Sequence, residues 1–154
     1  MKSKDVLRVL RVTRPTLTKY VKLGWIKVTT LPNGDYDYHS DSVYKFVNDG
    51  TTRKTYIYAD VQDKENLVQE IERIKEFCAS NGYKIDKELN DYEPNNIFDK
   101  RKQLMILVDN VISNKVEKVI VEKKDSLSSD FDLLQYIFSQ FNTEIIVMDS
   151  TVSN

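Results

Sequence analysis

Three serines lie close together between two aspartates, in the order Asp125, Ser126, Ser128, Ser129 and Asp130. A serine hydroxyl can attack a phosphodiester when a base takes its proton and several cations neutralise the charge of the transition state. Neither a base nor a basic cluster accompanies these serines, and the flanking carboxylates would repel phosphate. We therefore interpret them as loop serines and not as nucleophiles.

Asp60, Asp125 and Asp130 offer a different chemistry, because carboxylate oxygens at the edge of a sheet can form a pocket for Mg²⁺. Acidic side chains in loops are also common on solvated surfaces, and this second interpretation is favoured. The chain has one cysteine, Cys78, and one histidine, His39, which excludes an internal disulfide and a cysteine-based zinc site. We expect no metal and no cofactor.

From Thr55 onward the pattern alternates between strands and helices, which is typical of a three-layer α/β domain with a mostly parallel sheet of four or five strands. The predicted strands are residues 56–61, 83–88, 118–122 and 144–148. One predicted helix follows the first strand and ends at Asn81-Gly82. The other two predicted helices span residues 102–113 and 131–141. Functional residues of such sheets gather at the carboxyl ends of the strands, here residues 60–62, 91–99 and 123–130.

The first fifty residues follow a different pattern, that of two short helices, a hairpin and a third helix. Val6, Leu7 and Leu10 have helical spacing, and a second helix begins near Thr13, with Pro15 in its first turn, and ends at Gly24. Pro32-Asn33-Gly34 predicts a tight hairpin, or wing, and a last helix is predicted over residues 40–48 with Ser40 as its cap. The fold class is therefore a mostly helical winged helix-turn-helix followed by the α/β domain.

Charge is divided unevenly along the chain. Residues 1–54 contain eleven Lys and Arg against five Asp, a net charge of +6, whereas the rest contains twelve against nineteen, a net charge of −7. A local basic face is sufficient to attract duplex DNA although the whole chain is near neutral. The predicted groove-facing residues share the polar face of the second helix: Arg14, Thr16, Thr18, Lys19 and Lys22.

We predict two domains, at 1–48 and 55–150, joined by a flexible polar linker at 49–54. No apolar run approaches the length of a membrane span, and nothing is typical of a signal peptide. We expect an intracellular protein that does not associate with membranes.

These segments carry a resemblance that covers nearly the whole chain. The N-terminal pattern resembles a MerR-type winged helix-turn-helix. Tyr58-Ala59-Asp60-Val61 resembles the Tyr-Ala-Arg-Val-Ser strand end of small serine recombinases, and the segment 119–128 resembles their strand leading into Asp-Arg-Leu-Ala-Arg. The chain is thus similar to serine recombinases, or resolvases, of the insertion-sequence transposase type.

The resemblance also implies where an active site would lie. The segment at 100–104 resembles the one that contributes an active-site arginine, here Arg101, which is the only arginine of the family's cluster that this sequence keeps, together with Asp125. The position of the nucleophile is Gln62, the preceding arginine position is Asp60, and two further arginine positions are Ser126 and Ser129. The resemblance therefore implies a degenerate, catalytically inactive site.

The family's last strand is followed by a long helix that pairs subunits, whereas six residues follow Met148 here. We expect that helix to be missing, so that a homodimer, or pairing with an active relative, would use another surface. The favoured function is a site-specific DNA-binding regulator or accessory factor that binds double-stranded DNA. The alternatives are an active recombinase with an altered site and a protein-interaction module with a vestigial N-terminal domain.

Overall fold

The computed structural model of the chain describes residues 1–61, 63–92, 101–127 and 130–148. The chain divides into two compact units, residues 1–53 and residues 54–154. We call them the N-terminal unit and the α/β unit. Gln62, Ser128 and Ser129 lie outside the described residues.

The N-terminal unit contains three helices and a two-stranded antiparallel hairpin. The elements are α1 (Ser3–Leu10), α2 (Arg14–Lys22), β1 (Val28–Thr30), β2 (Tyr36–Tyr38) and α3 (Ser40–Val47). Val6, Leu17, Ile26, Val43 and Tyr44 are almost completely buried in one cluster. Each such side chain stabilises the unit by roughly 1.5–3 kcal/mol, so the apolar stripes of the helices hold it together.

The connections of this unit follow from its turn residues. Gly34 has a φ of +90°, which a residue without Cβ adopts freely, and the Leu31 amide donates to the Asp35 carbonyl at 2.7 Å to close the hairpin. The prediction that Ser40 caps α3 is wrong, because His39 occupies the N-cap position and Ser40 is the first helical residue. The His39 ring instead forms a hydrogen bond with the Thr29 hydroxyl at 2.7 Å, which ties the start of α3 to the hairpin.

The α/β unit alternates strands with helices, as the sequence predicts. Its elements are β3 (Lys54–Val61), α4 (Lys64–Asn81), β4 (Lys87–Tyr92), α5 (Lys102–Ile112), β5 (Val116–Val121), α6 (Lys124–Leu127), α7 (Phe131–Gln140) and β6 (Glu144–Val147). The described strands form one parallel sheet in the order β4-β3-β5-β6. No helix among the described residues is long and apolar enough to cross a membrane.

Alternation along β3 sends neighbouring side chains to opposite faces of this sheet. Tyr56 and Tyr58 pack in a cluster with α5 and α7, whereas Ile57 and Ala59 pack against α4. The sheet is therefore buried on both faces, and the carboxyl ends of its parallel strands open onto one edge.

The second strand of this unit begins later than predicted. Its predicted span was 83–88, but the Tyr83 amide still donates to the Cys78 carbonyl at the end of α4, and Gly82 has the left-handed φ of +74° of a helix C-cap. Asp86 then exchanges hydrogen bonds with the backbone of Thr55 at 2.9 Å, and pairing continues from Lys87. As a consequence Asp91 lies inside β4 and not in the loop beyond it.

Candidate functional site

Arg101 lies at the carboxyl edge of the sheet, directly before α5. Its φ of 34° and ψ of 56° are left-handed, and its side chain does not cap the helix. The cap comes from β4, where the two carboxylate oxygens of Asp91 accept the amides of Gln103 and Leu104 at 2.9 Å each. A carboxylate at this position satisfies free N–H groups and the positive end of the helix dipole. Asp91 therefore fixes the start of α5, and Arg101 with it.

Tyr58 connects Asp91 with Arg101. Its hydroxyl donates to Asp91 Oδ2 at 2.6 Å and accepts from Arg101 Nη2 at 3.2 Å. The ring is completely buried in the core. Burial above all, together with the hydrogen bond to Asp91, raises the pKa of the Tyr58 phenol, and Arg101 opposes this only in part. The hydroxyl is therefore a neutral positioning group.

Asp60 forms an ion pair with the same arginine. Its Oδ2 lies 3.2 Å from Arg101 Nη2, and the backbone carbonyl of Ser126 accepts from that nitrogen as well. The structure thus brings together Asp60, Arg101 and Ser126 of the predicted site residues. Asp125 is exposed in the short helix α6, and Gln62 and Ser129 fall outside the described residues.

A second group of charges lies where α4 packs near the ends of β3 and β5. Arg73 donates to both oxygens of Glu122, from Nε at 2.8 Å and from Nη2 at 3.0 Å. Glu70, one turn earlier on α4, is 6 % exposed, and within the described part of the chain its Oε2 has no hydrogen-bond partner. Burial first, and then the charge of Glu122, raise the pKa of Glu70 to about 7.

Sequence reasoning missed Glu70 and the Arg73–Glu122 pair as members of this edge, and it placed Asp91 here only as the start of the loop 91–99. Glu70 lies at the spacing of the apolar stripe formed by Leu67, Ile71 and Ile74, and a carboxylate in such a stripe predicts a buried charge. The cap that Asp91 provides for α5 had no sequence signal, because β4 was predicted to begin four residues too early.

The electrostatics of this edge limit its chemistry. The Arg101 guanidinium already contacts a carboxylate, a phenol and a carbonyl, and the neighbouring Glu70 and Glu122 are acidic. A phosphate group would have to displace Asp60 to reach the guanidinium. Among the residues that the structure describes, no group of three or more metal-binding side chains could hold a metal ion.

The predicted DNA-contacting residues lie on α2 of the N-terminal unit. Leu17 is buried, whereas Arg14, Thr18, Lys19 and Lys22 are exposed along the outer surface of the helix. Thr16 is half-buried, and its hydroxyl lies 3.1 Å from that of Thr13. The Thr18 hydroxyl donates to the Arg14 carbonyl at 3.1 Å, which leaves its oxygen able to accept. We call this exposed basic surface the α2 face.

The parallel sheet with helices on both faces defines the class of the α/β unit, which is the fold of resolvase-like catalytic domains. One neighbour is the C-terminal catalytic domain of ISC1926 TnpA, an IS607-like serine recombinase. It is 28 % identical, with a TM-score of 0.55 over 61 % of this chain and 69 % of that one. A serine recombinase from Sulfolobus solfataricus is 25 % identical, with a TM-score of 0.55 over 63 % and 69 % of the two chains.

A third neighbour, a resolvase family site-specific recombinase from Streptococcus pneumoniae, is 21 % identical and shares the fold. Its TM-score is 0.54 over 64 % of this chain and 74 % of that one. No protein-family model matches the sequence. No curated protein matches it. The structural neighbours of this recombinase-like chain are thus serine recombinase catalytic domains.

Proposed function

We propose that this chain is a site-specific DNA-binding protein of serine recombinase origin that does not exchange DNA strands. In this proposal the N-terminal unit, as a MerR-like winged helix-turn-helix, binds duplex DNA. The protein acts as a regulator or accessory factor of an active relative. The observation that carries the proposal is the α2 face, where Arg14, Lys19 and Lys22 are all exposed.

The sequence and geometry of the N-terminal unit support DNA binding. A helix presented after a short turn can enter the major groove with its first residues at the base edges, and Arg14 is the first residue of α2. Arg matches base and phosphate acceptors bidentately, whereas Lys19 and Lys22 supply charge near the backbone. One module of this size buries only roughly 600–1,000 Å² against DNA, which favours binding as a pair.

The carboxyl edge of the α/β unit supports the loss of strand transfer. Attack of a serine on a phosphodiester without metal ions needs several arginines, and Asp60 and Ser126 stand where the resemblance implies two of them. Loss of one preorganised donor costs roughly 2.7–4 kcal/mol of transition-state stabilisation, or about 10²–10³ in rate. Several such losses, with Gln62 in place of the nucleophile, leave no useful rate.

The DNA-binding half of the proposal is tested by selecting bound sequences from random duplexes and titrating the selected site. Arg14→Ala and Lys19→Ala should each weaken binding about threefold to tenfold, and each lost phosphate contact should lower the salt slope by about 0.9. Lys45→Ala removes the same charge from α3, where Lys45 is exposed, and should leave the affinity unchanged. Equal affinity of all four proteins would refute a role of the α2 face.

The catalytic half is tested separately on nicked and supercoiled DNA that contains the selected site. Denaturing gels should show no covalent protein–DNA adduct at any protein concentration. An adduct would overturn the proposed loss of strand transfer and favour an active recombinase with an altered site. DNA binding through the α2 face would remain unaffected by that result.

A further inference from the structure

The guanidinium of Arg101 uses its donors unevenly. Nη2 carries two hydrogens and contacts three acceptors, which are the Asp60 carboxylate, the Tyr58 hydroxyl and the Ser126 carbonyl. Nε, in contrast, is buried and has no hydrogen-bond partner among the residues that the structure describes. On the edge of the guanidinium that Nε and Nη2 form, three described acceptors therefore share Nη2 and none binds Nε.

This unevenness has a chemical meaning. The Nε and Nη2 hydrogens of a guanidinium are parallel, and a carboxylate or phosphate normally accepts both. The Arg73–Glu122 pair of the same unit shows that arrangement, with distances of 2.8 and 3.0 Å. The ion pair of Asp60 with Arg101 is formed at Nη2, at 3.2 Å. Only one of the two nitrogens on this edge of Arg101 therefore has described acceptors. A buried donor without an acceptor, such as Nε here, is energetically costly.

We propose that Asp60 is a built-in competitor for an oxyanion site at Arg101, where its carboxylate takes the place of one oxygen of a phosphate-type ligand. A tetrahedral phosphate oxyanion can bridge Nε and Nη2 together, whereas the Asp60 carboxylate contacts Nη2 and leaves Nε without an acceptor among the described residues. The site is closed while Asp60 is charged and in place. The inference rests on the proposed loss of strand transfer, because Asp60 keeps the phosphate from the arginine.

The block is weak enough to be removed. Asp60 retains 34 % of its side-chain exposure and Arg101 retains 19 %, so the carboxylate can rotate toward solvent while the arginine stays in place. Asp91 holds Tyr58 and the start of α5 independently of Asp60, so that the site remains formed when the competitor is removed.

The test follows the Arg101 Nε–H resonance of the full chain during titration with inorganic phosphate. Asp60→Ala should give a saturable shift at a concentration at least about tenfold lower than the natural chain requires, because both a competing acceptor and a like charge are lost. Asp60→Asn, which keeps the shape and removes the charge, should show a smaller gain. Asp60→Ala combined with Arg101→Lys no longer carries the Nε–H probe, so its phosphate binding is measured by isothermal titration calorimetry beside that of Asp60→Ala, and it should be lost, since an ammonium lacks the fork.

Asp132→Ala is the matched control, because it removes the same charge from an exposed position in the first turn of α7, outside the implied active site. Its phosphate response should equal that of the natural chain. The inference is overturned if neither Asp60 variant gains a shift, or if Asp132→Ala gains as much as Asp60→Ala. A short duplex in place of phosphate separates the two sources: an equal Nε shift supports a DNA phosphodiester as ligand, and a shift with phosphate alone supports a free anion.

These outcomes are independent of the α2 titration. Failure at Arg101 would leave the effects of Arg14→Ala and Lys19→Ala on duplex binding intact. Failure of duplex binding would leave the phosphate response of Asp60→Ala intact.

Discussion

Glu70 makes the stability of the α/β unit depend on pH in a way that one substitution should remove. Its folded pKa is about 7, against an ordinary value of 4.5, because it is buried beside Glu122. The folded state thus holds this proton more tightly than the unfolded state does. The contribution of Glu70 to the free energy of unfolding is therefore largest below pH 4.5 and is lost as the pH rises toward 7.

The magnitude follows from the size of the shift. The difference between about 7 and 4.5 is about 2.5 units, and each unit corresponds to about 1.36 kcal/mol. Deprotonation of Glu70 therefore lowers the free energy of unfolding by about 3 kcal/mol on the alkaline side. Glu70→Gln abolishes this loss and should stabilise the unit by up to that amount above neutral pH, with little effect in acid.

The assay is urea unfolding followed by far-UV circular dichroism at several pH values between about 4 and 8. Glu72→Gln is the control, because Glu72 is exposed on the same helix, and it should shift stability by less than about 0.5 kcal/mol. Trp25, the only tryptophan, belongs to the N-terminal unit, and its fluorescence transition should not move. Parallel pH profiles for the natural chain and Glu70→Gln would refute the reasoning.

Three further substitutions follow from the same contacts. Asp91→Ala removes the acceptor for the Tyr58 hydroxyl and for two amides of α5, and should lower the free energy of unfolding by about 2–4 kcal/mol, measured with urea. Gly82→Ala places a Cβ in open space at a φ of +74°, so the cost should be backbone strain of about 1 kcal/mol, seen as a lower melting temperature. Arg73→Gln leaves the carboxylate of Glu122 without its bidentate partner and should cost about 1–2 kcal/mol near neutral pH, with a steeper loss in alkali. A flat pH difference for this last variant would contradict the coupling to Glu70.

Periodicity predicted most elements of the α/β unit because its inner strands and its helices carry apolar residues at regular spacing. It failed at β4, an edge strand that reads Lys-Glu-Leu-Asn-Asp-Tyr and has one almost fully buried residue, Leu89. The apolar Tyr83 and Ile85 resembled a strand but pack against the α4 side of the sheet before pairing begins. The turn α6 is too short to show any period.

For the candidate site, the sequence predicted which residues take part better than it predicted the contacts between them. Asp60, Arg101 and Ser126 were singled out because the resemblance to serine recombinases implies active-site positions there, and it also implied a reversed charge at Asp60. It did not indicate that this charge would pair with Arg101, since the two are far apart in the chain and meet only through the register of β3 and β4 and the cap on α5. Pairings of that kind depend on tertiary geometry, which local pattern does not encode.

The acidic side chains of the α/β unit are consistent with a division of labour between the two units. Asp60 reduces the charge that Arg101 offers, which lowers the attraction of that edge for phosphate, whereas the α2 face keeps its exposed cations. On the proposed function, removal of the Asp60 carboxylate should therefore increase salt-dependent DNA binding without changing the preferred sequence, because sequence is read at base edges and not by phosphate contacts. A changed sequence preference in Asp60→Ala would contradict that division.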